Sequence, residues 1–294
     1  MRIFVTGASG FIGSAVVPEL IRAGHQVLGL TRSEASALAI AAAGGAALRG
    51  DLNDTDGLRA GIAQSDGVIH LGFIHDFSNF QASVETDRRA IEAMGQALEG
   101  SGRPFVIASG TAGLAPGRIA TEEVPFAPEL HPRAANAVVA LGFAARGVRV
   151  SFVRLAPSVH GPGDHGFVKT LVDIARAKGV SAYIGDGANR WTAVHRLDAA
   201  RLFVLALENA QAGAVLHGVA DEAIATRSIA DIIGAKLSLP VASIASDAAA
   251  AHFGWMARFF AMDQPASSAI TQRQMDWTPT HPTLLEDLEA GYYT

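Results

Sequence analysis

Apolar residues in this chain form short continuous runs that alternate with longer segments of helical spacing. The first run, residues 3–5, predicts a buried strand, and residues 11–21 predict the helix that follows it. Further strands are predicted at residues 26–30, 47–49, 67–71, 104–108, 148–154 and 215–219, and further helices at residues 83–98, 133–146, 167–178, 197–209 and 228–237. Strands that alternate with helices predict an α/β fold with a Rossmann-type, doubly wound parallel sheet.

Three glycines, Gly7, Gly10 and Gly13, lie between the first predicted strand and the first predicted helix. A strand, a glycine turn and a helix in this order are typical of a dinucleotide-binding site. Gly7 permits the tight turn, Gly10 lets the backbone approach a pyrophosphate, and Gly13 lets helix and strand pack closely. The backbone N–H groups at the helix N-terminus favour phosphate. The candidate cofactor-binding residues of this turn are Gly7, Ser9, Gly10, Phe11, Ile12 and Gly13.

The alternation of strands and helices loosens after residue 154. Residues 155–166 contain two prolines and three glycines, a composition that predicts a loop. We expect a dinucleotide-binding domain at residues 1–158, to which residues 191–219 return. A small C-terminal substrate-binding lobe is expected from residues 159–190 and 220–294. The aromatic tail, which runs from Trp255 to the Trp277-Thr-Pro-Thr segment, is expected to cover the carboxyl edge of the sheet.

Composition narrows the class of protein further. The chain has 294 residues, of which 49% are hydrophobic and 17% charged, as in a compact globular enzyme. A net charge of −5 gives no footprint for nucleic acid, and no apolar run of membrane-spanning length occurs. Without cysteine, disulfides and thiolate metal sites are excluded. We expect a cytoplasmic protein with a small-molecule substrate, no nucleic-acid or membrane partner, and a homodimer as the base-rate assembly.

Several motifs in a fixed order resemble the extended and atypical short-chain dehydrogenase/reductases, the group related to nucleotide-sugar epimerases and dehydratases. The motifs cover nearly the whole chain and lie at residues 6–13, 50–53, 68–71, 109–111, 154–161, 194–198 and 277–279. The resemblance implies that Asp51 and Leu52 flank the adenine, and that Thr111 hydrogen-bonds the substrate oxygen. It further implies that the cofactor is lined by His70, Leu71 and Gly72 and by the loop of Pro157, Ser158 and Val159. Asp198 is expected to cap its helix.

The end of the second strand bears on the type of cofactor. An acidic residue commonly holds the ribose 2′-hydroxyl of NAD at this point, whereas a 2′-phosphate needs a cation. The chain has Thr31, Arg32 and Ser33 here and no acid. Arginine makes paired, charge-assisted bonds to phosphate. The sequence therefore predicts NADP(H), with NAD less favoured. Ser33 is also placed to cap the following helix.

The catalytic Tyr-x-x-x-Lys pair of the resembled family is missing. By the family's spacing to Arg154, its positions fall on Pro128 and Pro132, and the only tyrosines are residues 183, 292 and 293. A proton donor contributes about 10²–10⁴ in rate, so its loss slows hydride transfer without preventing it. Thr111 is the candidate for polarising a carbonyl oxygen.

The histidines His165 and His131 are candidate proton donors in place of the tyrosine. His75 with Asp76 is a further candidate pair, and a turn position for His131 is the structural alternative. A metal at His160, Asp164 and His165 is not predicted, because their spacing is rich in glycine.

Two segments supply candidates for the substrate pocket, one before the motif at residues 194–198 and one after the fourth predicted strand. Arg190 and Trp191 are candidate substrate contacts, with anchoring of the lobe as the equal alternative for Trp191. Phe73, together with Phe77 and Phe80, forms either an apolar pocket rim or packing beneath the cleft.

The predicted function is an NADP(H)-dependent oxidoreductase that acts by hydride transfer on a small carbonyl or alcohol. The alternatives are a nucleotide-sugar epimerase or dehydratase, and a non-catalytic protein that binds or senses NADP(H).

Overall fold

A seven-stranded parallel sheet forms the centre of the computed structural model, which describes residues 1–76, 79–129 and 131–293. Its strands, numbered along the chain, are β1 (Arg2–Thr6), β2 (Gln26–Thr31), β3 (Ala46–Arg49), β4 (Gly67–His70), β5 (Pro104–Gly110), β6 (Arg149–Leu155) and β10 (Ala214–Gly218). They lie in the order β3-β2-β1-β4-β5-β6-β10, and all neighbours are parallel. This order reverses direction between β1 and β4, which confirms the predicted Rossmann-type fold.

Helices cover both faces of the main sheet. They are α1 (Gly13–Arg22), α2 (Glu34–Ala42), α3 (Thr55–Ala63), α4 (Phe80–Leu98), α5 (Pro132–Leu141) and α7 (Arg196–Asn209). Side chains of each strand point alternately to the two faces. Ile3 and Val5 of β1 therefore pack with α1 and α7, whereas Phe4 packs with α3 and α4. The alternation divides the main core into two layers, one on each face.

A smaller body, which we call the lobe, contains the remaining strands and most of the remaining helices. Its strands are β7 (Ser158–His160), β9 (Arg190–His195) and β11 (Asp221–Ala225) in one sheet, and β8 (Ser181–Ile184) and β12 (Val241–Ile244) in another. Its helices are α6 (Phe167–Lys178), α8 (Thr226–Leu237), α9 (Ala249–Phe253), α10 (Met256–Phe260) and α12 (Leu284–Ala290). Trp191, Phe253 and Phe260 lie at its centre.

One segment between two lobe helices returns to the main core. Helix α11 (Ala269–Met275) packs against α7 and β10. Trp277 follows it, is fully buried in the main core, and donates its indole N–H to the Asp198 carbonyl at 3.0 Å. The aromatic tail therefore contributes to both bodies.

The structure corrects two local predictions. The predicted loop at residues 155–166 contains β7, which pairs with β9 between Pro157 and Gly161; pairing with a distant strand overrides the turn-forming residues around it. The predicted helix at residues 133–146 ends at Leu141, and residues 144–146 form a separate 3-10 turn. Within the described part of the chain, no helix combines the length and apolar character needed to cross a membrane.

Candidate functional site

The glycine turn between β1 and α1 is closed by contacts that leave no room for side chains at two positions. Gly7 has φ of +69°, and a Cβ there would lie 2.8 Å from the Gly72 backbone nitrogen. A Cβ on Gly13 would lie 2.0 Å from the Gly7 carbonyl oxygen. Gly10 donates its N–H to that same oxygen at 3.0 Å. The turn therefore requires glycine at residues 7 and 13 to bring α1 against β1.

The N-terminus of α1 faces the carboxyl edge of the sheet without a protein cap. Its N-cap residue Ile12 supplies no side-chain hydrogen bond, and the first turn contains no acidic residue. Among the described residues, no acceptor lies against the N–H groups of Phe11 and Ile12. Ser9 and Gly10 are exposed beside them. Uncapped N–H groups at the positive end of a helix form an anion site, so this arrangement fits a pyrophosphate.

At the end of β2, only one of three candidate side chains is open to a ligand. The Thr31 hydroxyl is buried and donates to the Ser33 carbonyl at 3.1 Å. The Ser33 hydroxyl accepts the Ser36 N–H, so Ser33 caps α2 as predicted. The Arg32 side chain is 75% exposed, with its Nη1 3.9 Å from Oδ2 of Asp51. Arg32 is therefore the available cation at this corner.

Asp51 and Leu52 lie beside this corner. The Asn53 backbone N–H bonds the Asp51 carboxylate at 2.9 Å, and this bond, with help from the Asn53 side chain and Arg32, outweighs burial and lowers the pKa of Asp51. The Leu52 side chain packs over Gly72: a Cβ on Gly72 would lie 3.3 Å from both Leu52 Cδ atoms. An ionised Asp51 next to Arg32 is suited to hold the guanidinium in place.

His70, predicted to line the cofactor, instead has its ring in a buried hydrogen-bond network. Its Nδ1 is 2.6 Å from the Thr6 hydroxyl, and its Nε2 is 3.1 Å from Oδ1 of Asp87. The Thr6 hydroxyl also accepts the Gly72 N–H at 3.0 Å, so both ring nitrogens of His70 contact side chains that are themselves held inside the protein. The ring is therefore turned away from the surface, whereas Leu71 and Gly72 remain half-buried at the edge of the sheet.

Asp87 ties α4 and α5 to this network. Asn136 of α5 donates to its Oδ2 at 2.8 Å and to the Val84 carbonyl at 2.9 Å. Burial raises the pKa of Asp87, but hydrogen bonds from His70 and Asn136 and the charge of Arg133 outweigh it, so the pKa lies below its usual value. The sequence analysis missed Asp87, although the residue falls on the apolar stripe of its helix, where a charged side chain is unusual.

Two hydroxyl side chains at the carboxyl end of β5 differ in burial and in hydrogen bonding. Thr111 is buried, and its hydroxyl is directed at the Leu155 carbonyl at 3.4 Å. Ser109 is half-buried, and its hydroxyl has no partner among the described residues. By the alternation of the strand, Ser109 lies on the face of Phe105 and Ile107, which α5 covers. Ser109, which the sequence analysis quoted without assigning, is therefore the more accessible hydroxyl.

The first turn of α5 carries a cation that reaches this strand end. The Arg133 Nη2 donates to the Ala108 carbonyl at 3.3 Å, and its Nε lies 4.0 Å from Oδ2 of Asp87. The guanidinium stacks over the Phe73 ring at 4.1 Å. Burial lowers the pKa of Arg133, yet an arginine stays charged at neutral pH. The position of the missing lysine thus has an arginine as its neighbour.

His131 caps α5. Its Nδ1 accepts the Arg133 N–H at 3.2 Å, and burial, Arg133 and Arg258 together lower the pKa of the ring. Its ring lies 6.0 Å from that of Phe80, which in turn lies 6.0 Å from Phe73. These contacts form an apolar wall beside Arg133; Phe77, also predicted for the rim, lies outside the described residues.

The loop after β7 brings His165 to the glycine turn. The His165 ring packs edge-on against Phe11 with 5.8 Å between centroids, and the residue is exposed. Its charge also contributes, after burial and Arg133, to lowering the pKa of His75. The two histidines therefore lie close enough to interact electrostatically, although they follow different strands.

Of the nicotinamide loop implied by the resemblance, Pro157 precedes β7, and Ser158 and Val159 belong to that strand. Ser158 is buried, and Pro157 and Val159 are half-buried. His160 and Asp164 face different partners: the His160 Nδ1 lies 2.6 Å from Asp287, and Asp164 accepts the Tyr293 hydroxyl at 2.9 Å. These two side chains are committed to α12 and the residues after it.

The substrate candidates of β9 have partners inside the protein. Trp191 is fully buried in the lobe core against Phe167 and Phe260. This position matches the alternative in which Trp191 anchors the lobe. Arg190 forms a two-bond pair with Asp263, at 3.0 and 2.8 Å.

Asp198 does not cap its helix, contrary to the expectation. His195 is the N-cap of α7, because its Nδ1 accepts the Leu197 N–H. The Asp198 carboxylate instead accepts the N–H groups of Thr280 and His281. Asp198 thereby holds the segment after Trp277, a long-range contact that sequence spacing does not indicate.

Comparison with known proteins confirms the resemblance. A model of the NAD dependent epimerase/dehydratase family matches residues 3–218. The uncharacterized protein C2A9.02 of Schizosaccharomyces pombe is 52% identical over 296 residues, which cover 100% of both chains. The 2-alkyl-3-oxoalkanoate reductase of Stenotrophomonas maltophilia is 32% identical over 236 residues, covering 75% of this chain and 69% of the reductase.

Among solved structures, the dTDP-glucose 4,6-dehydratase DesIV of Streptomyces venezuelae, with NAD and TYD bound, has a similar fold. Its TM-score is 0.78 at 21% identity, covering 99% of this chain and 96% of the dehydratase.

Proposed function

The chain belongs to the NAD-dependent epimerase/dehydratase family, and we propose that it is an NADP(H)-dependent oxidoreductase for a small carbonyl or alcohol substrate. The observation that carries this proposal is the uncapped N-terminus of α1 behind a turn that requires Gly7 and Gly13. The relative named as a reductase supports a reductase, and the substrate in its name, a 2-alkyl-3-oxoalkanoate, contains a ketone.

A dinucleotide fits the residues present. The N–H groups of Phe11 and Ile12 would bind the pyrophosphate, and Leu71 and Gly72 would line the adjoining edge. When bound, the nicotinamide supplies or accepts a hydride. The protein must therefore orient the substrate and hold the proton that balances the hydride.

Arg32 would bind the 2′-phosphate of NADP(H). Its guanidinium is exposed, stands beside ionised Asp51, and follows a strand that ends without an acid. Titrating the protein with NADPH and NADH, followed by nicotinamide fluorescence, is expected to show tighter binding of NADPH. Arg32→Ala should lower the NADPH affinity by about tenfold or more and leave NADH unchanged, because hydrogen bonds to charged groups are worth about 1.5–3 kcal/mol. An unchanged affinity ratio in the variant would refute the preference.

At the end of β5, Ser109 would hold the substrate oxygen and Arg133 would stabilise negative charge that develops on it. Ser109 has an unpartnered hydroxyl, and Arg133 reaches the preceding carbonyl. His165, which packs against Phe11, would supply the proton directly or through water. This assignment replaces Thr111, whose hydroxyl is directed into the sheet.

Two matched variants separate the hydroxyls. Ser109→Ala is expected to lower kcat by about 10²-fold or more, by the usual contribution of such a group to the transition state. Thr111→Val keeps the shape of the side chain and should change kcat less than about threefold, while costing about 1 kcal/mol of stability. Steady-state kinetics over a panel of ketones and aldehydes, with urea unfolding, tests both. The reverse ranking would restore Thr111 as the residue that holds the oxygen.

A second candidate function is binding or sensing of the dinucleotide without turnover. It is favoured by the buried Thr111 and by the prolines at both positions of the catalytic tyrosine and lysine. Tight NADPH binding without oxidation, over carbonyl substrates that include 3-oxoalkanoates, would support this alternative. Epimerase or dehydratase chemistry has less support, because its usual tyrosine base is absent. Retention of NAD through purification would favour it.

A further inference from the structure

Arg196 is a partly buried cation without an ionic partner. It is the first residue of α7, directly after the N-cap His195, and it is half-buried. Its Nε is buried and has no hydrogen-bond partner, and none of the ion pairs among the described residues includes its guanidinium. A buried donor and a charge left unpaired are unfavourable unless a ligand satisfies them.

The guanidinium of Arg196 lies beside the glycine turn. Its Cζ is 5.1 Å from the centroid of the Phe11 ring, whose backbone N–H is one of the groups open at the start of α1. Helices α1 and α7 pack side by side and both lead into strands of the parallel main sheet, and their C-terminal ends meet where His25 contacts Glu208, so their N-terminal ends also lie next to each other. The arginine therefore adds a full positive charge to the partial positive charge of the α1 N-terminus.

The stem of Arg196 runs past Gly161. This glycine has φ of +131°, and a Cβ there would lie 2.8 Å from Nε2 of His195 and 3.4 Å from Cγ of Arg196. A side chain at residue 161 would thus overlap His195, whereas the stem of Arg196 lies at an ordinary contact distance from this point of the loop after β7.

The nearby acids are committed to other partners. The carboxylate of Asp198 accepts the N–H groups of Thr280 and His281. Asp164 accepts the Gly166 N–H and the Tyr293 hydroxyl, and burial raises the pKa of its carboxyl. Neither carboxylate pairs with Arg196, so the positive charge at the turn is available to an external anion.

We propose that Arg196 binds the pyrophosphate of the dinucleotide, as a side-chain clamp opposite the backbone N–H groups of the glycine turn. This proposal rests on dinucleotide binding but not on the preference for NADP(H). An arginine fork binds phosphate oxygens through two parallel bonds, which a lysine cannot reproduce.

The test compares two anionic fragments that probe different ends of the site. ADP-ribose contains the pyrophosphate without the 2′-phosphate, and 2′-AMP contains the 2′-phosphate without the pyrophosphate. Dissociation constants are measured by calorimetry or by displacement of NADPH fluorescence. Arg196→Gln is expected to weaken ADP-ribose and NADH by about ten- to a hundredfold and to leave 2′-AMP unchanged. Arg196→Lys should recover only part of the loss.

Two control variants complete the test. Arg32→Gln should show the opposite pattern, with 2′-AMP weakened and ADP-ribose unchanged. Arg273→Gln removes an exposed charge on α11 and should change neither. Thermal unfolding of each variant checks that the fold is retained.

The outcomes for Arg196→Gln and for the wild-type protein distinguish the clamp from its alternatives. Equal weakening of both fragments by Arg196→Gln, or no weakening of ADP-ribose, would overturn the clamp; a change in the substrate KM alone would reassign Arg196 to the substrate. A wild-type protein that prefers NADH would overturn the NADP(H) preference only, and the ADP-ribose comparison would still decide the role of Arg196. A wild-type protein that binds no dinucleotide would overturn both.

Discussion

Single side chains at the carboxyl edge divide into those that hold the protein together and those that remain available to a ligand. His70, Thr31 and Thr111 were all candidates for ligand contact, yet each has its polar atoms bonded inside the fold. Arg32, Ser109 and Arg196 lack strong protein partners. A side chain that the fold has already satisfied costs more to redirect toward a ligand than one that is unpaired.

The same distinction explains which site residues the sequence could predict. The glycine turn is local, so residues 7–13 suffice to recognise it. Ser109 could not be separated from Thr111, because what distinguishes them is the contact of the Thr111 hydroxyl with the Leu155 carbonyl of β6, which lies 44 residues away in sequence. Asp87, Asn136 and Arg196 depend on contacts between elements far apart in sequence, which no motif in one chain records.

His131 offers a test of capping against catalysis at one position. His131→Asn preserves a cap acceptor and removes the titrating ring, so stability should be unchanged or higher. His131→Ala should lose about 1 kcal/mol of unfolding free energy. If capping is the whole role of His131, the asparagine variant keeps its kcat; a fall of tenfold or more would identify the ring as a proton donor. Urea unfolding and steady-state kinetics on both variants provide the measurement.

The strand-turn-helix unit β1-α1 shows how one element builds a binding surface. Two of its glycines are required by contacts within the protein, whereas Gly10 is exposed and a Cβ there meets only the Gly7 carbonyl oxygen, at 3.2 Å. The contacts within the protein therefore explain Gly10 less well than its two neighbours, and we expect its missing side chain to serve the approach of a ligand.

Two alanine substitutions separate these roles. Gly10→Ala should retain the fold and lower dinucleotide affinity by about tenfold, which corresponds to about 1.4 kcal/mol. Gly13→Ala should lose both, since its Cβ would overlap the Gly7 carbonyl oxygen at 2.0 Å. Circular dichroism melts and NADPH titration distinguish the two outcomes. A Gly10→Ala protein with unchanged affinity would show that the ligand does not approach this point.

Across the whole molecule, buried histidines join the lobe to its C-terminal helix. His160 and His195 lie against Asp287 of α12, and burial lowers the pKa of each histidine to about 4. In the unfolded chain a histidine titrates near 6.5, so between about pH 4 and 6.5 the folded protein binds fewer protons than the unfolded one.

The contribution of these histidines to the unfolding free energy is therefore fully present above pH 6.5. It decreases as the pH falls from 6.5 through about 4. We expect the unfolding free energy, measured in urea between pH 4 and 7.5, to fall on the acid side. His160→Asn keeps a donor near Asp287 but cannot titrate, so its profile should be flatter. A variant with the wild-type slope would show that His160 is not one of the groups responsible.

The return of α11 and Trp277 to the main core limits how the two bodies can move. The chain passes from sheet to lobe before β7, back at α7, out again after β10, back at α11, and out once more to α12. Hinge motion between two bodies is easiest where few chain segments connect them. Here the chain passes between the main sheet and the lobe at several separate points. We therefore expect the lobe to keep its position against the main sheet when a ligand binds, so that only side chains and short loops, such as the one that carries His165, move to enclose it.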